Sequence, residues 1–333
     1  MATVISPNNI DYQWPAGRTN LYRRHSERSS VELKKINTVR PLVLLAIPCY
    51  NEEIAIGSIL IRASKYADRI VVIDDGSTDR TAEIARDAGV EVIVHEKNEG
   101  KGAGIRDAFN YAKAIDADIL VLIDGDGQHD PGEIPSLIEP IMRGEADMVN
   151  GSRFLAKGQN NVPKYRRVGQ EVLTMATNAG GHCRVTDSQN GFRAFYKNTF
   201  DCFSLHQNGM AIESEMLMDA SRANLDLVEV PINVRYDVAG STYNPVSHGF
   251  SVLNSIIKLV SQKRPLLFFS LPGSILLVIG SLFFVATLNT FNESHSISTV
   301  SAMAGMFCVV IGIFSLFTGM TLASIQNIKA KAG

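Results

Sequence analysis

Between residues 42 and 123, short apolar runs alternate with longer amphipathic stretches. The runs 42–47, 70–73, 90–94 and 119–123 are brief and rich in branched side chains, which predicts buried strands. Between the first two, Ile56, Ile59, Leu60 and Ala63 fall at helical steps within 54–66. A second helix is expected to begin near 77–79, where hydroxyl and carboxylate groups suit free amide hydrogens, and a third covers 102–117. Such alternation predicts a doubly wound, Rossmann-like α/β domain.

Beyond residue 123 the rhythm continues and then loosens. A helix is expected over 131–144, a strand over 148–151, helices over 165–179 and 210–223, and short extended segments at 194–196 and 227–234. Pro231 cannot donate to a ladder and therefore puts the last strand at or near a sheet edge.

The C-terminal pattern is of another kind. No Asp, Glu, Lys or Arg occurs from 265 to 292 or from 296 to 328, and each run exceeds the roughly 20 residues that cross a bilayer as a helix. Ahead of them, Phe250, Leu253, Ile257 and Val260 form an apolar stripe at three- and four-residue steps, suited to a membrane interface or to packing on the α/β domain. The expected organisation is a polar basic arm over 1–40 and an α/β domain over 41–238. A juxtamembrane helical region over 239–264 follows, then a two-helix hairpin over 265–328 (spans near 266–288 and 301–325) and a short tail over 329–333.

Charge sets the expected topology. Lys258, Lys263 and Arg264 precede the first span, Lys329 and Lys331 follow the second, and the loop between carries only Glu293 and His295. Positive flanks stay on the cytoplasmic side, so the α/β domain and the C-terminus are expected there. Gly305, Gly312 and Gly319 recur every seventh residue, a stripe for close helix contact within the hairpin or in a homo-oligomer. The formal net charge of −2 gives no reason to expect nucleic acid as a partner. Cys49, Cys183, Cys202 and Cys308 lack ligand spacing and read as free thiols.

Three expected strand ends carry acidic clusters: Asn51 with Glu52, Asp74 with Asp75, and Asp124 with Asp126. Ligands of doubly wound folds bind beyond the carboxyl ends of strands, so the three clusters point to one site rather than to three ordinary turns. Two carboxylates one residue apart repel each other unless a cation is near, and a hard divalent ion arriving with a phosphate answers that need. Gly100, Gly102 and Gly104 suggest a dinucleotide fingerprint, but its last glycine falls where this chain has Ile105.

In that order, Pro48-x-Tyr50-Asn51-Glu52, Asp74-Asp75-Gly76-Ser77-Thr78-Asp79 and Asp124-x-Asp126-x-Gln128-His129 resemble the motifs of family 2 glycosyltransferases of the GT-A fold. Within that family the sequence is most similar to polyprenyl-phosphate sugar transferases, the dolichyl-phosphate mannose and glucose synthases and their archaeal members. The resemblance covers 42–236 and, through the hairpin, extends to about 328. It implies a nucleotide-diphosphate sugar donor, a dolichyl or other polyprenyl phosphate acceptor held with membrane lipid, and a divalent metal, magnesium or manganese. It implies Pro48, Tyr50, Glu52, Asp74, Asp75, Lys101, Gly102, Asp124 and Gly125 around the nucleotide, and Asp124, Asp126 and Gln128 around the metal. Arg153, Gln189 and Arg193, with Asp187, would shape the sugar and reacting phosphates, and the acceptor phosphate would draw on Arg153, Lys164, Arg166, Arg167 and Arg193. The Gln-x-x-Arg-Trp signature of processive polysaccharide synthases is missing, since the only tryptophan is Trp14. Transfer of a single sugar is therefore expected, with UDP-glucose or UDP-N-acetylglucosamine ahead of GDP-mannose. A membrane scaffold with a degenerate nucleotide-sugar-binding domain is the alternative. His95, His182 and His206 carry no expected role.

Overall fold

The computed structural model describes residues 40–155, 164–181, 183–235 and 264–332, with positions 254, 257, 258, 260 and 261 between them. The expected basic arm therefore lies outside the described residues apart from Arg40, as does most of the juxtamembrane region, in which positions 254, 257, 258, 260 and 261 are helical. The chain divides into two compact units, Met1–Val252 and Leu253–Gly333.

The first unit is built on seven strands: β1 Val43–Cys49, β2 Arg69–Asp74, β3 Glu91–Val94, β4 Ile119–Leu122, β5 Met148–Ser152, β6 Arg193–Tyr196 and β7 Leu227–Pro231. They form one sheet in the order β3-β2-β1-β4-β6-β5-β7. The helices are α1 Ile56–Ala63, α2 Thr81–Asp87, α3 Lys101–Ala114, α4 Ile134–Met142, α5 Lys164–Gly181 and α6 Ile212–Arg222. β1 is central. Val43, Leu45 and Ile47 enter one core layer and Leu44 and Ala46 the other, so both faces are covered and the strand reads as a continuous apolar run. In the second layer Phe109 of α3 meets Phe195, Phe200 and Phe203 with ring centroids 5.0, 5.7 and 5.2 Å away.

The alternation of strands and helices is as expected, and the sheet is mixed. β6 runs antiparallel to both β4 and β5, while β7 pairs parallel with β5 at the edge. The four residues of β6 announce a strand without announcing its direction. β7 stops at Pro231, which lacks the donor to continue it. α2 begins later than expected, because Ser77, Thr78 and Asp79 are occupied in joining two loops, as described below.

In the second unit a π-helical turn, Leu266–Ser270, leads into α7, Leu271–Ser294, and α8 spans Thr299–Ala332. Within 266–293 and within 299–325, only 11% of an 18-residue apolar stretch is buried. A core helix of a soluble protein would be enclosed; these helices present Leu282, Phe284, Phe307, Phe314 and Phe317 outward, as lipid-facing helices do. The glycines serve the hairpin itself. A Cβ on Gly273 would come within 2.9 Å of the Gly312 carbonyl oxygen, and one on Gly280 within 2.9 Å of that of Gly305. Ser315 donates to the Phe269 carbonyl oxygen (2.6 Å), and the Thr287 and Ser301 hydroxyls pair at 2.9 Å.

Candidate active site

The strand order brings the three acidic clusters together. β2, β1 and β4 are neighbours, and β1 stands where the order reverses, the crevice in which such sheets take ligands. The β1 and β2 loops are stitched to each other. Asn51, in the left-handed region at φ 58°, accepts from Thr78 N (2.8 Å) and donates its own amide to Ser77 Oγ (2.9 Å). Glu52 N donates to Thr81 Oγ1 (2.8 Å) and Glu53 N to Asp79 Oδ2 (3.1 Å). Tyr50 is left 39% exposed at the rim, beside Pro48 at the end of β1.

Asp74 and Asp75 are both buried and differ in use. Asp75 accepts from the Glu99 and Gly100 amides (2.8 Å each) and meets His95 Nδ1 at 2.7 Å, so it anchors the loop that starts α3. Asp74 accepts a 3.3 Å bond from Ser77 N, and its Oδ1 is enclosed with no hydrogen-bond partner among the described residues.

The start of α3 is sealed by the chain. Gly102 N donates to the Asn208 carbonyl (2.7 Å), and a Cβ on Gly102 would collide with the Gln207 carbonyl oxygen. A helix N-terminus covered by protein carbonyls does not cradle a dinucleotide phosphate, which removes the fingerprint reading. Gly104 instead allows α3 to lie close to Pro48 and Ile73. The covering loop is buttressed by α6: Glu215 accepts from Gln207 N (2.8 Å) and Asp219 from Ser204 N (2.9 Å).

At the end of β4, Gly125 packs on Cys49, where a Cβ would overlap the Sγ atom. Asp124 lies between Lys101, whose Nζ stands 2.6 Å from Oδ1, and the Gly191 backbone, where any Cβ would strike both carboxylate oxygens. Lys101 also reaches Glu213 (2.8 Å), and Glu213 reaches Arg193 (3.1 Å). Burial pushes the Asp124 carboxyl up, but Lys101 together with His129 and Arg153 outweighs it and brings the pKa below the ordinary value. Asp126 goes the other way. Burial and then the charge of Asp124 push it up to about 6. Burial with the same two carboxylates raises Glu52 to about 7.

The site thus holds more negative charge than its own cations relieve, the condition a divalent ion answers. Asp124, Asp126 and Gln128 offer hard oxygen atoms. Among the described residues no cluster of three His, Cys, Asp or Glu side chains forms a self-sufficient metal cage. The loop bearing these residues is fixed from below. Arg235 N donates to the Gln128 carbonyl (2.9 Å), His129 bridges to Val234, and Asn233 bonds Glu133. His129 is buried beside Phe192, and burial lowers its pKa to about 4.

The remaining expected residues fall into two groups. Arg153, at the end of β5, is clamped by Asp187 (2.6 and 2.7 Å) and donates to the Gln189 carbonyl (3.1 Å). The Gln189 amide donates to Ser188 and Ser214 (3.0 and 2.9 Å). Arg193 is fully buried, bonded to the Glu213 and Ser188 carbonyls. It therefore supports Glu213 from inside and is not presented as an acceptor-phosphate clamp, a correction to the expectation. Arg167 is exposed on α5, paired with Glu171 at 2.9 Å. The side chains of Lys164 and Arg166 lie outside the described residues, although both positions are in α5. Gly191 was not legible beforehand, and Glu213 only as a helix-start carboxylate that could support the acceptor side. The faint signals were a glycine inside a polar stretch and a carboxylate at the start of an otherwise packed helix.

The sequence profile described as "Glycosyl transferase family 2" matches residues 45–203, the part that carries all three clusters. An uncharacterized protein of Methanocaldococcus jannaschii is 34% identical over 71% of this chain and 98% of its own length. The UDP-N-acetylglucosamine–dolichyl-phosphate N-acetylglucosaminyltransferase of Methanococcus voltae is 33% identical over 67% of this chain and 97% of its own. The chain belongs to glycosyltransferase family 2. Glucosyl-3-phosphoglycerate synthase of Mycobacterium tuberculosis, solved with Mn2+, UDP and phosphoglyceric acid, shares the fold at TM-score 0.53. That likeness carries 23% identity over 66% of this chain and 78% of the other. The protein is accordingly a catalytic family 2 glycosyltransferase of GT-A-like fold, related to archaeal dolichyl- and polyprenyl-phosphate sugar transferases. Its two long apolar helices associate it with the membrane.

Proposed function

We propose that this glycosyltransferase moves one sugar from a nucleotide-diphosphate sugar to a dolichyl or other polyprenyl phosphate at the cytoplasmic face of the membrane. UDP-glucose and UDP-N-acetylglucosamine are the favoured donors and GDP-mannose the third. The observation that carries the reading is the convergence of Glu52, Asp74 and the Asp124-x-Asp126 pair at the β1–β4 crevice, in a chain that also carries a lipid-facing hairpin. The Methanococcus voltae relative, named for transfer from a UDP-sugar to dolichyl phosphate, supports both substrates.

Asp124, Asp126 and Gln128 would hold the divalent ion; when bound, it supplies positive charge to the leaving diphosphate. Glu52 and Asp74 stand where ribose hydroxyls would find acceptors. The acceptor is a phosphate monoester whose second pKa, about 6, leaves it largely dianionic at neutral pH. Such a nucleophile needs placing more than deprotonating. Arg153, held rigid by Asp187, and the basic start of α5 are the groups for that task. Attack opposite the leaving group inverts the anomeric carbon.

The test incubates membranes containing the protein with magnesium or manganese, polyprenyl phosphate and each labelled donor, then measures acid-labile label in the organic phase. Label from one donor, reduced at least roughly a hundredfold by Asp124→Asn with Asp126→Asn, is expected, on the scale of losing electrostatic stabilisation. Label that survives the double replacement would remove these carboxylates from the mechanism. No label from any donor, with nucleotide binding intact, would favour another acceptor.

A further inference from the structure

β5 and β7 pair in parallel register, with Met148 opposite Leu227 and Asn150 opposite Glu229. Side chains alternate along a strand, so Met148, Asn150 and Ser152 share one face with Leu227 and Glu229. Val228 and Val230 turn to the other core layer. The shared face is apolar at Met148 and Leu227 and becomes polar one step further along. A carboxylate in the middle of a strand needs donors, and Glu229 finds three. Its Oε1 accepts from Asn150 Nδ2 (3.0 Å) and Asp187 N (3.3 Å), and its Oε2 accepts from Thr186 N (2.7 Å). Asn150 Nδ2 also donates to the Asp187 carbonyl oxygen (2.8 Å), and the Ser152 and Thr186 hydroxyls pair at 2.6 Å. No helix or strand occurs among the described residues from 183 to 192, so these bonds fix where residues 186 and 187 stand. Asp187, fully buried, then grips Arg153 through both carboxylate oxygens (2.6 and 2.7 Å). A guanidinium held in a bidentate fork takes its plane from the carboxylate that holds it. The plane of Arg153 is thus set from β7, at the edge of the sheet.

We propose that Glu229 is a positioning residue of the acceptor side: by holding the Thr186 and Asp187 amides it sets the place of Asp187, and through Asp187 the orientation in which Arg153 meets the acceptor phosphate. Glu229 itself touches neither substrate. Asn150 shares the task, since one amide group of its side chain ties Glu229 to the Asp187 backbone. The inference rests on the reading above for the role of Arg153 toward the phosphate.

The test measures binding of farnesyl phosphate to the full-length protein in detergent by isothermal titration, with farnesol as the probe that lacks the phosphate. Arg153→Gln should weaken farnesyl phosphate roughly tenfold to a hundredfold, the scale of hydrogen bonds to charged groups. Glu229→Gln, which turns an amide N–H toward one of the three donors, should weaken it about tenfold on the same scale. Glu229→Asp keeps the charge but withdraws it by one methylene; it should cost less, and it carries the test if the glutamine variant fails to fold. Farnesol affinity should be the same in every variant, and Glu229→Gln should add nothing further in an Arg153→Gln background. Three results would each overturn the proposal: wild-type affinity for farnesyl phosphate in the Glu229 variants, an equal loss for farnesol, or a loss that multiplies in full with that of Arg153→Gln. Each leaves the acceptor reading standing as long as Arg153→Gln binds farnesyl phosphate weakly. Wild-type affinity in Arg153→Gln, or no binding of farnesyl phosphate by the wild type, rejects that reading and this proposal with it.

Discussion

Among single residues, His95 shows how a site can be supported by a group with no visible motif. Its Nδ1 faces Asp75 and its Nε2 faces Asp107, both at 2.7 Å, and each contact is best made by a ring nitrogen that carries hydrogen. Burial opposes the charged ring, but the two carboxylates outweigh it, so the pKa is raised above the ordinary value of about 6.5. The sign follows from linkage. A raised folded pKa contributes stability that is fully present below the unfolded pKa and is lost as pH rises through the folded one. The wild type should therefore lose more melting temperature between pH 6 and pH 8.5 than His95→Gln does. Parallel pH profiles for the two proteins would mean that the ring is not charged in the fold.

Among elements, the hairpin turns on the absence of side chains. α7 and α8 approach closely because Gly273, Gly280, Gly305 and Gly312 leave backbone facing backbone, with Ser315 and Thr287 adding bonds between the helices. A Cβ on Gly312 would stand 2.8 Å from the Gly273 carbonyl oxygen and 2.9 Å from Leu277 Cγ. Gly312→Leu should force the helices apart at about 1–3 kcal/mol, the common cost of overpacking. Its readout is a lower melting temperature of the detergent-solubilised protein. Gly169→Ala, with open space around it, should not show that loss. An unchanged transition for Gly312→Leu would place the stripe elsewhere than in the hairpin contact.

For the whole molecule, the distribution of charge decides which side the chemistry faces. Lys258, Lys263 and Arg264 on one flank and Lys329 and Lys331 on the other leave the loop as the least basic segment. Ser296→Cys should react with a membrane-impermeant maleimide added to intact cells, and Lys329→Cys should react only after the membrane is opened. The opposite pattern would put the active site outside and deny it a cytoplasmic nucleotide sugar.

The local pattern of the sequence already determined a great deal. Strand and helix positions, the acidic strand ends, the edge position of β7 and both spans follow from short-range periodicity and composition, which act through burial and through a missing proline donor. The tertiary structure alone decided the direction of β6, the sealing of the α3 N-terminus by residues 207–208, and the inward facing of Arg193. It alone also revealed Gly191 against Asp124, His95 between two carboxylates, and Glu213 between two cations. Each of these depends on which distant segment arrives beside a given residue. No spacing along the chain encodes that meeting; it arises only when the sheet order brings β1, β4 and β6 together over the start of α3.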